Sequence, residues 1–396
     1  MSLENLDIWA DDKGVNVIGT GDFTYPAWIR EIKNKLELAE SGLFKLKKDF
    51  KKKTIKGTVA DTRFMLTTEI SNIYSRGGKT RRVHNLIFVP DIATAEKINK
   101  ELGRLGNLKS DGRPILGLDS EEMLKIILEA NPKAAVIPAH AWTPWFSVFG
   151  SMSGFDSLEE CYGDLVKHIF AIETGLSSDP AMNWRVSALD KIALISNSDA
   201  HSLEKIGREA NVLECEMSYE GIMGAIKSGA AQFEKEEKQQ FLSTIEFFPE
   251  EGKYHLDGHR SCGVVWTPAE TKKHKNICSK CGSKVTVGVL SRVRDLADRP
   301  EGFFDARRPS ARNLISLDKI IGEALGVGAK TKTVKKEYDK LIIEFGSELG
   351  VLIGAEHARI AATVDPRIAE GIIAARTRRL KIRPGYDGEY GEITIF

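Results

Sequence analysis

Short apolar runs alternate with amphipathic stretches along roughly the first half of the chain. The runs have the length and composition of buried strands, and the stretches between them carry apolar residues at helical spacing. The predicted strands lie at 15–19, 64–69, 84–89, 134–139, 169–173 and 191–195. Strands that alternate with helices predict an α/β fold, and we expect a barrel of the (β/α) type.

The chain opens on a predicted helix at 3–10, which leads into the strand at 15–19. Further helices are predicted at 157–166 and 181–190, and amphipathic helices interrupted by a glycine-rich linker are predicted between 92 and 131. A barrel of this kind normally begins with a strand. We therefore expect that the chain lacks the strand that would precede its first helix.

Residues of metal-ligand type occur at the ends of the predicted strands. Glu69 ends one of them, His140 follows another and His84 begins a third, while Asp199 and His201 follow the apolar run that ends at residue 195. Strand alternation would put Asp199 and His201 on one face, where a carboxylate oxygen and an imidazole nitrogen can converge. The pattern predicts a metal site at the strand ends. For Asp199 and His201 alone, a polar turn after a buried strand is the alternative.

Composition places the chain among globular proteins. It has 396 residues, of which 42% are hydrophobic and 29% are charged, which is enough for two or three domains. It contains no apolar run that could span a membrane and no recognisable signal peptide. We expect a cytoplasmic protein with no membrane partner. The net charge of +1 conceals local asymmetry, because basic segments are offset by acidic stretches such as 234–237.

Three basic segments are candidates for contact with nucleic acid. Segment 45–56 holds seven lysines and one aspartate, and segment 376–383 is the richest in arginine; for both, a solvated surface is the alternative. Segment 72–82 is predicted to be a loop between Glu69 and His84, so its four cations should lie over the metal site and suit a phosphate-bearing substrate. The candidate DNA-binding residues are Arg76, Lys79, Arg81, Arg82, Arg376, Arg378, Arg379 and Lys381.

Four aromatic residues follow His140 closely, at Trp142, Trp145, Phe146 and Phe149. Aromatic side chains beside a phosphate-binding site can stack on a base or wedge a duplex apart. Packing into the core is the alternative, and the sequence does not separate the two.

Two ligand pairs with a spacing of two residues predict a second metal site. His259 and Cys262 form the first pair, Cys278 and Cys281 form the second, and about fifteen residues separate the pairs. Three thiolates and one imidazole would close a tetrahedral structural zinc site, with His255 as the competing fourth ligand. A closed site of this kind stabilises a small segment and has no open position for catalysis.

In their order, the motifs Gly-Asp-Phe-Thr, Thr-Thr-Glu, Pro-Ala-His, Glu-Thr-Gly and Ser-Asp-Ala-His resemble the endonuclease Q branch of the polymerase and histidinol phosphatase (PHP) superfamily. The resemblance extends over the entire chain, including the zinc motif and the tail. It implies a distorted (β/α)7 barrel that holds a divalent-metal cluster. It also implies an endonuclease that cuts DNA 5′ to uracil, hypoxanthine or xanthine, and at abasic sites.

The resemblance further implies a ligand set, with Glu69 as the bridge between metals. The matching positions are Asp22, Glu69, His84, His140, Asp199 and His201. Phe23 stands where many relatives have a histidine, which leaves one metal position open. The His-x-His motif that opens the family is missing from this sequence. Our interpretation is that the start codon was placed too far downstream; the alternative is a protein that lacks those ligands.

These observations predict three regions, namely a PHP barrel at 1–235, a zinc-binding module at 253–298 and a helical, basic DNA-binding region at 299–396. Asp199, His201 and Glu69 are the predicted catalytic residues, and they would hold zinc, manganese or magnesium that activates water. The predicted partner is single- or double-stranded DNA with deaminated bases, with a sliding clamp as a further candidate. The alternatives are a small-molecule phosphoesterase and a catalytically inactive DNA-binding protein.

Overall fold

The computed structural model describes residues 1–110, 112–230 and 239–396. The acidic stretch 234–237 and the predicted domain boundary at residue 235 lie outside these residues. Within them, no helix is both long enough and apolar enough to cross a bilayer.

The first 230 residues form a mixed α/β region, as predicted. Several of its helices begin at a side chain that accepts a hydrogen bond from the first turn, including Ser2, Asp91, Asp119 and Ser218. The helices are α1 (Leu3–Lys13), α2 (Pro26–Lys35), α3 (Ile92–Leu105), α4 (Ser120–Ala130), α5 (Leu158–Tyr162), α6 (Pro180–Asn183) and α7 (Tyr219–Lys227). The strands are β1 (Val17–Gly19), β2 (Leu36–Leu38), β3 (Phe44–Leu46), β4 (Arg63–Arg76), β5 (Lys79–Val89), β6 (Ile115–Leu116), β7 (Ala135–Pro138), β8 (Ala171–Glu173), β9 (Ala193–Ile195) and β10 (Ala210–Glu214).

The long hairpin of β4 and β5 dominates the largest sheet. These two strands pair antiparallel from Leu66 with Val89 to Arg76 with Lys79, so that only Gly77 and Gly78 form the turn. Both glycines have positive φ, +62° and +72°, which suits a tight two-residue hairpin turn. The prediction of a loop at 72–82 is therefore wrong. Glu69 and His84 lie within long strands and not at strand ends.

The strands do not close into a barrel in the described part of the chain. The seven-stranded sheet joins β2, β3, β4, β5 and β7, with β1 and β6 parallel to β4, while β8 and β9 form a separate parallel pair. The expectation of a (β/α)7 barrel is correct only as a mixed α/β fold. Apolar side chains of the sheet and helices, among them Phe23, Phe64 and Ile87, are fully buried in the main core.

The remainder of the chain contains two smaller cores. One surrounds Val264, Trp266, Cys278 and Val285, and the other is built by the C-terminal helices and Phe248. The helices are α8 (Pro268–Lys273), α9 (Val289–Leu296), α10 (Leu317–Leu325), α11 (Lys332–Phe345), α12 (His357–Thr363) and α13 (Pro366–Arg376). The strands are β11 (Gln240–Glu246), β12 (Asp257–His259), β13 (Val264–Trp266), β14 (Ser310–Asn313), β15 (Lys381–Arg383) and β16 (Glu392–Thr394).

Strand β11 connects the first region to the C-terminal one. It pairs antiparallel with β10 and parallel with β14. The C-terminal strands in turn lie beside the segment that precedes β12, where Leu256 N donates to Gly385 O at 2.9 Å.

Candidate metal and active site

Glu69 and His84 share one face of the β4–β5 hairpin. His84 is paired with Ser71 across the hairpin, and Glu69 lies two residues before Ser71 on the same strand. Residues two apart on a strand point to the same side, so Glu69 and His84 are diagonal neighbours. His84 Nδ1 lies 2.9 Å from Glu69 Oε1.

His140 reaches the same place from the end of β7. Its backbone has φ +30°, and its backbone N donates to Glu173 Oε2 at 2.7 Å. Gly175 lies directly beneath it, since a Cβ at residue 175 would be 2.6 Å from the Cβ of His140. Glycine is therefore required at residue 175 if His140 is to keep this position.

The three side chains converge on one point. His140 Nε2 lies 3.1 Å from His84 Nδ1 and 3.5 Å from Glu69 Oε1. Two ligands on one ion with bonds near 2.1 Å are separated by about 3 to 3.5 Å. One carboxylate and two imidazoles form a donor set that suits zinc, manganese or iron. The residues present therefore fit a divalent metal ion, as their ligand atoms all lie within 4.8 Å of one another.

The protonation states of Glu69 and His84 also suit a metal. Burial opposes ionisation of Glu69, but hydrogen bonds with His140 and His84 and the charge of Arg113 hold the pKa of its carboxyl well below the usual range. Burial lowers the pKa of His84 to about 4, so its imidazole is neutral at neutral pH. Burial also acts to lower the pKa of His140, yet its hydrogen bond with Glu69 raises that pKa overall. A metal ion needs an ionised carboxylate and neutral imidazoles, so Glu69 and His84 are ready to bind one, whereas His140 has to be deprotonated.

Asp22, Asp199 and His201 lie around this centre but not within it. All three line a cleft of about 1260 Å³ that also contains Glu69, His140 and Glu173. Among the described residues, the compact group consists of Glu69, His84 and His140. Asp22 and Asp199 have φ of +47° and +43°. Such backbone strain in non-glycine residues is concentrated at functional sites.

The prediction that strand alternation places Asp199 and His201 on one face is wrong, because β9 ends at Ile195 and both residues follow it in irregular structure. His201 Nδ1 lies 3.0 Å from the carbonyl oxygen of Asp199 and 3.7 Å from its Oδ1. The side chain of His201 is 75% exposed. The metal-ligand role of these residues and of Asp22 stays a prediction.

The aromatic segment divides between core and site. Trp142 and Phe149 are buried, and Trp142 Nε1 donates to Asn183 at 2.7 Å. Phe146, with φ +63°, packs on the His84 ring with the centroids 4.8 Å apart. Trp145 contacts Tyr254, which precedes the cysteine-rich segment 259–281 in the chain, and the two ring centroids are 5.6 Å apart. The core interpretation thus holds for two of the four rings.

The cations of the hairpin lie along its arms. Arg76 forms an ion pair with Glu121 at 2.8 Å and donates to Cys161 O, so it faces away from the cleft. Arg81 donates to Gly154 O and lies over the Phe155 ring. Arg82 lies over the Phe146 ring at 5.6 Å and so comes nearest to the site, while Lys79 is exposed. The prediction that these cations lie over the metal site therefore holds only for Arg82.

The C-terminal cations also differ in their surroundings. Arg376 ends α13 and donates to the carbonyls of Val351 and Leu352 at 2.6 and 2.8 Å. Arg378, Arg379 and Lys381 are exposed. A duplex would therefore meet the latter three more readily, and their DNA-binding role stays a prediction.

His259, Cys262, Cys278 and Cys281 come together as the second group of metal-ligand residues. Their ligand atoms lie within 4.8 Å of one another, and Cys281 Sγ is 3.5 Å from His259 Nδ1. His255, the alternative fourth ligand, is buried outside this group. Three sulfur atoms and one imidazole nitrogen fit a tetrahedral zinc ion.

Two further buried glutamates lie near the cleft. Glu246 on β11 is fully buried and accepts a hydrogen bond from Thr174 Oγ1 at 3.0 Å, next to Glu173. Glu209, which lines the cleft, is also buried, and its charge interacts with that of Glu246. Burial raises the pKa of Glu246 to about 8. The folded protein therefore keeps a proton there that the unfolded chain releases.

We expect stability to fall as the pH rises from about 5 to about 8, because the unfolded glutamate ionises near pH 4.3 while the folded one stays protonated. Glu246→Gln removes this titration, so its stability should change less over the same range. Between these two pKa values, the free energy of unfolding of the wild type should fall by about 1.4 kcal/mol more for each pH unit than that of the variant. Denaturant unfolding between pH 5 and 9 measures it, with the exposed Glu129→Gln as the control. Parallel curves for the wild type and Glu246→Gln would contradict the assignment.

The predicted site residues did not include Glu173, Asn197 and Arg113. Glu173 is the last residue of the predicted strand at 169–173, and here it accepts hydrogen bonds from the His140 backbone and from Asn197 Nδ2. Arg113 Nη1 donates to Glu69 Oε1 at 3.0 Å. The Glu-Thr-Gly motif could have identified Glu173. Arg113 lies in a predicted linker, and nothing local distinguishes it.

Two relatives match this chain in sequence. The uncharacterized protein MJ0043 of Methanocaldococcus jannaschii is 34% identical over 261 residues, which cover 65% of this chain but only 31% of that protein. The uncharacterized protein YqxK of Bacillus subtilis is 31% identical over 315 residues, or 78% of this chain and 73% of that protein. The family model of the MJ0043 C-terminal domain matches residues 316–379.

Two solved structures match the fold over nearly its full length. One is the lesion-specific endonuclease PfuEndoQ from Pyrococcus furiosus, with a TM-score of 0.83 and 31% identity over 99% of this chain and 90% of that one. The other is endonuclease Q in complex with a 27-mer duplex substrate that has an abasic lesion at the active site. It matches with a TM-score of 0.84 and 32% identity over 100% of this chain and 92% of that one.

Proposed function

Because this chain belongs to the endonuclease Q family, we propose that it is a DNA repair endonuclease whose metal-binding cleft hydrolyses the phosphodiester bond 5′ to a lesion. The lesions we propose are abasic sites and the deaminated bases uracil, hypoxanthine and xanthine. The observation that carries the proposal is the convergence of Glu69, His84 and His140 beside a cleft, which Glu69 and His140 line, in a chain that superposes on a lesion-bound endonuclease.

In this proposal Glu69, His84 and His140 hold divalent metal in the cleft. Bound divalent ions supply a water of lowered pKa and stabilise negative charge on a phosphate. Glu173 and Gly175 keep the His140 backbone in place, and Ser147 Oγ, 3.3 Å from His140 Nδ1, orients its ring. Phe146 covers the His84 ring, which limits the access of water to that ligand.

Cations of two separate regions would bind the duplex backbone. Lys79 and Arg82 lie on the hairpin, and Arg378, Arg379 and Lys381 lie between α13 and β15. The C-terminal strand pair packs beside the cysteine-rich segment, where Arg260 N donates to Asp387 Oδ2 at 2.6 Å. Phosphate contacts of this kind fix the register of a duplex but carry little sequence information. A sliding clamp as partner and a cytoplasmic location stay predictions.

Nicking of end-labelled duplexes tests the proposal. With Mn²⁺ or Mg²⁺, we expect a cut immediately 5′ to an abasic site, deoxyuridine or deoxyinosine and no cut in the undamaged duplex. Water attacks the phosphate and the upstream 3′ oxygen departs, so the ends are a 3′-hydroxyl and a 5′-phosphate on the lesion fragment. Ligation and phosphatase treatment identify these ends on a gel.

The same assay distinguishes the proposed function from the competing ones. A glycosylase would leave the backbone of the deoxyuridine duplex intact until alkali is added. Release of phosphate from a small monoester without any nick would establish a phosphoesterase, and binding without any cut at saturating metal would establish an inactive DNA-binding protein.

A further inference from the structure

The segment that contains Arg113 is held against the hairpin at the metal site. Strand β6 pairs parallel with β4, with Ile115 beside Ser71, and Ser71 N donates to Pro114 O at 3.0 Å. In a parallel pair, stepping back two residues on both strands leads from Ser71 and Ile115 to Glu69 and Arg113. The register itself therefore brings Arg113 next to Glu69.

Arg113 uses the same oxygen that a metal ion would need. Its Nη1 lies 3.0 Å from Glu69 Oε1, which is also the oxygen 2.9 Å from His84 Nδ1 and 3.5 Å from His140 Nε2. An ion held by Glu69 and both histidines would take a lone pair of this oxygen. The guanidinium and the metal ion are both cations, so they compete for one carboxylate.

Arg113 has to move away from this oxygen when a metal ion takes its place. Its side chain is 34% exposed and lines the cleft together with Asp22 and Asp199, whereas Glu69 is only 16% exposed. The planar fork of an arginine matches a phosphate, which the substrate of the proposed reaction would bring into this cleft.

We propose that Arg113 is a positioning residue that neutralises Glu69 before metal binds and turns to the substrate phosphate once metal is bound. This inference rests on the proposed function for the identity of the anion, a DNA phosphate. Two consequences follow. Without DNA, Arg113 weakens metal binding because it occupies Glu69. With DNA, Arg113 leaves Glu69 for the phosphate, which favours the binding of both metal and DNA, so the two bind with positive coupling. Such coupling is reciprocal, so each ligand raises the affinity for the other by the same factor.

A titration of the full chain with Mn²⁺ tests this proposal. Metal already bound in the cleft is first removed by mild chelation, and free Mn²⁺ is then followed by electron paramagnetic resonance. Without DNA, Arg113→Gln should bind Mn²⁺ about tenfold more tightly than the wild type, because a hydrogen bond to a charged group is lost. The titration is then repeated with a pre-nicked abasic duplex, which offers the phosphate but undergoes no turnover. The wild type should gain Mn²⁺ affinity, and the gain should be about tenfold smaller in Arg113→Gln.

Two further variants serve as controls. Arg113→Lys keeps the charge but loses the fork, so it should fall between the wild type and Arg113→Gln in both titrations. Arg104→Gln makes the same change on α3, where Arg104 is 62% exposed and paired with Glu101, and it should behave as the wild type. Thermal unfolding of each variant verifies that the fold is intact.

Equal or weaker Mn²⁺ binding by Arg113→Gln without DNA would overturn the competition at Glu69. Undiminished coupling in that variant would overturn the transfer to phosphate. If the wild type binds no duplex, the proposed function fails and the coupling fails with it, while the titration without DNA still decides the competition at Glu69.

Discussion

Glu69→Gln is expected to reduce the rate of nicking at an abasic lesion at least about a thousandfold while duplex affinity changes little. Glu69 is the carboxylate shared by His84, His140 and Arg113, and its pKa is held well below the usual range. Glutamine keeps the shape of the side chain but removes the negative charge that a divalent ion requires. Under the proposed function, duplex affinity comes from exposed cations elsewhere and from Arg113, which no longer faces a carboxylate at residue 69, so it should be retained.

The measurement combines single-turnover nicking with a binding isotherm at equal salt concentration. Glu122→Gln, an identical change at an exposed position of α4, serves as the control and should nick at the wild-type rate. Asp199→Asn and His201→Ala extend the series. Both should lose nicking if these residues are metal ligands, as the sequence predicted. Nicking by Glu69→Gln at a rate within about threefold of the wild type would refute the metal site.

The double variant Cys278→Ser and Cys281→Ser is expected to lose about one zinc per chain and to unfold the segment around it. Its small core contains Val264, Trp266, Cys278 and Val285 and has little apolar surface of its own. Structural zinc contributes about 10–16 kcal/mol of apparent binding free energy in small modules, which is more than such a core can replace.

Elemental analysis after mild stripping of the cleft metals measures the zinc, and limited proteolysis locates the unfolded segment. Cys161→Ser with Cys215→Ser is the matched control, because both thiols lie outside the cluster. Duplex binding should weaken as well, since this segment packs against the C-terminal strands and against the aromatic segment, where Ser151 Oγ donates to Val287 O at 2.9 Å. An unchanged zinc content in the cysteine variant would contradict the assignment.

The alternation of apolar and polar residues was sufficient to locate most strands of the first region. The predicted strands at 134–139, 169–173 and 191–195 enclose β7, β8 and β9, because a run of apolar side chains indicates directly that a short segment is buried. The cysteine and histidine spacing likewise predicted a group that the fold brings together. The type and the spacing of the residues were enough to indicate a metal site, because all of its ligands lie within one short stretch of the chain.

The hairpin was predictable but missed. Gly77 and Gly78 stand between two strand-like runs, and two adjacent glycines are a recognised signal for a two-residue turn. Interpreting the cations around them as a loop placed Arg76 and Arg81 over the metal site, whereas pairing of β4 with β5 directs them to Glu121 and Phe155.

By itself, the sequence determined which residue types were available for chemistry and which short segments were buried, because both properties are local. Only the tertiary structure decided that Glu69, His84 and His140 share one point, that Asp199 and His201 stand apart from it, and that Arg113 arrives through β6. These arrangements depend on the pairing and register of strands far apart in the chain. Register is set by the packing of whole sheet faces, and a shift of a single residue would turn every ligand to the opposite side.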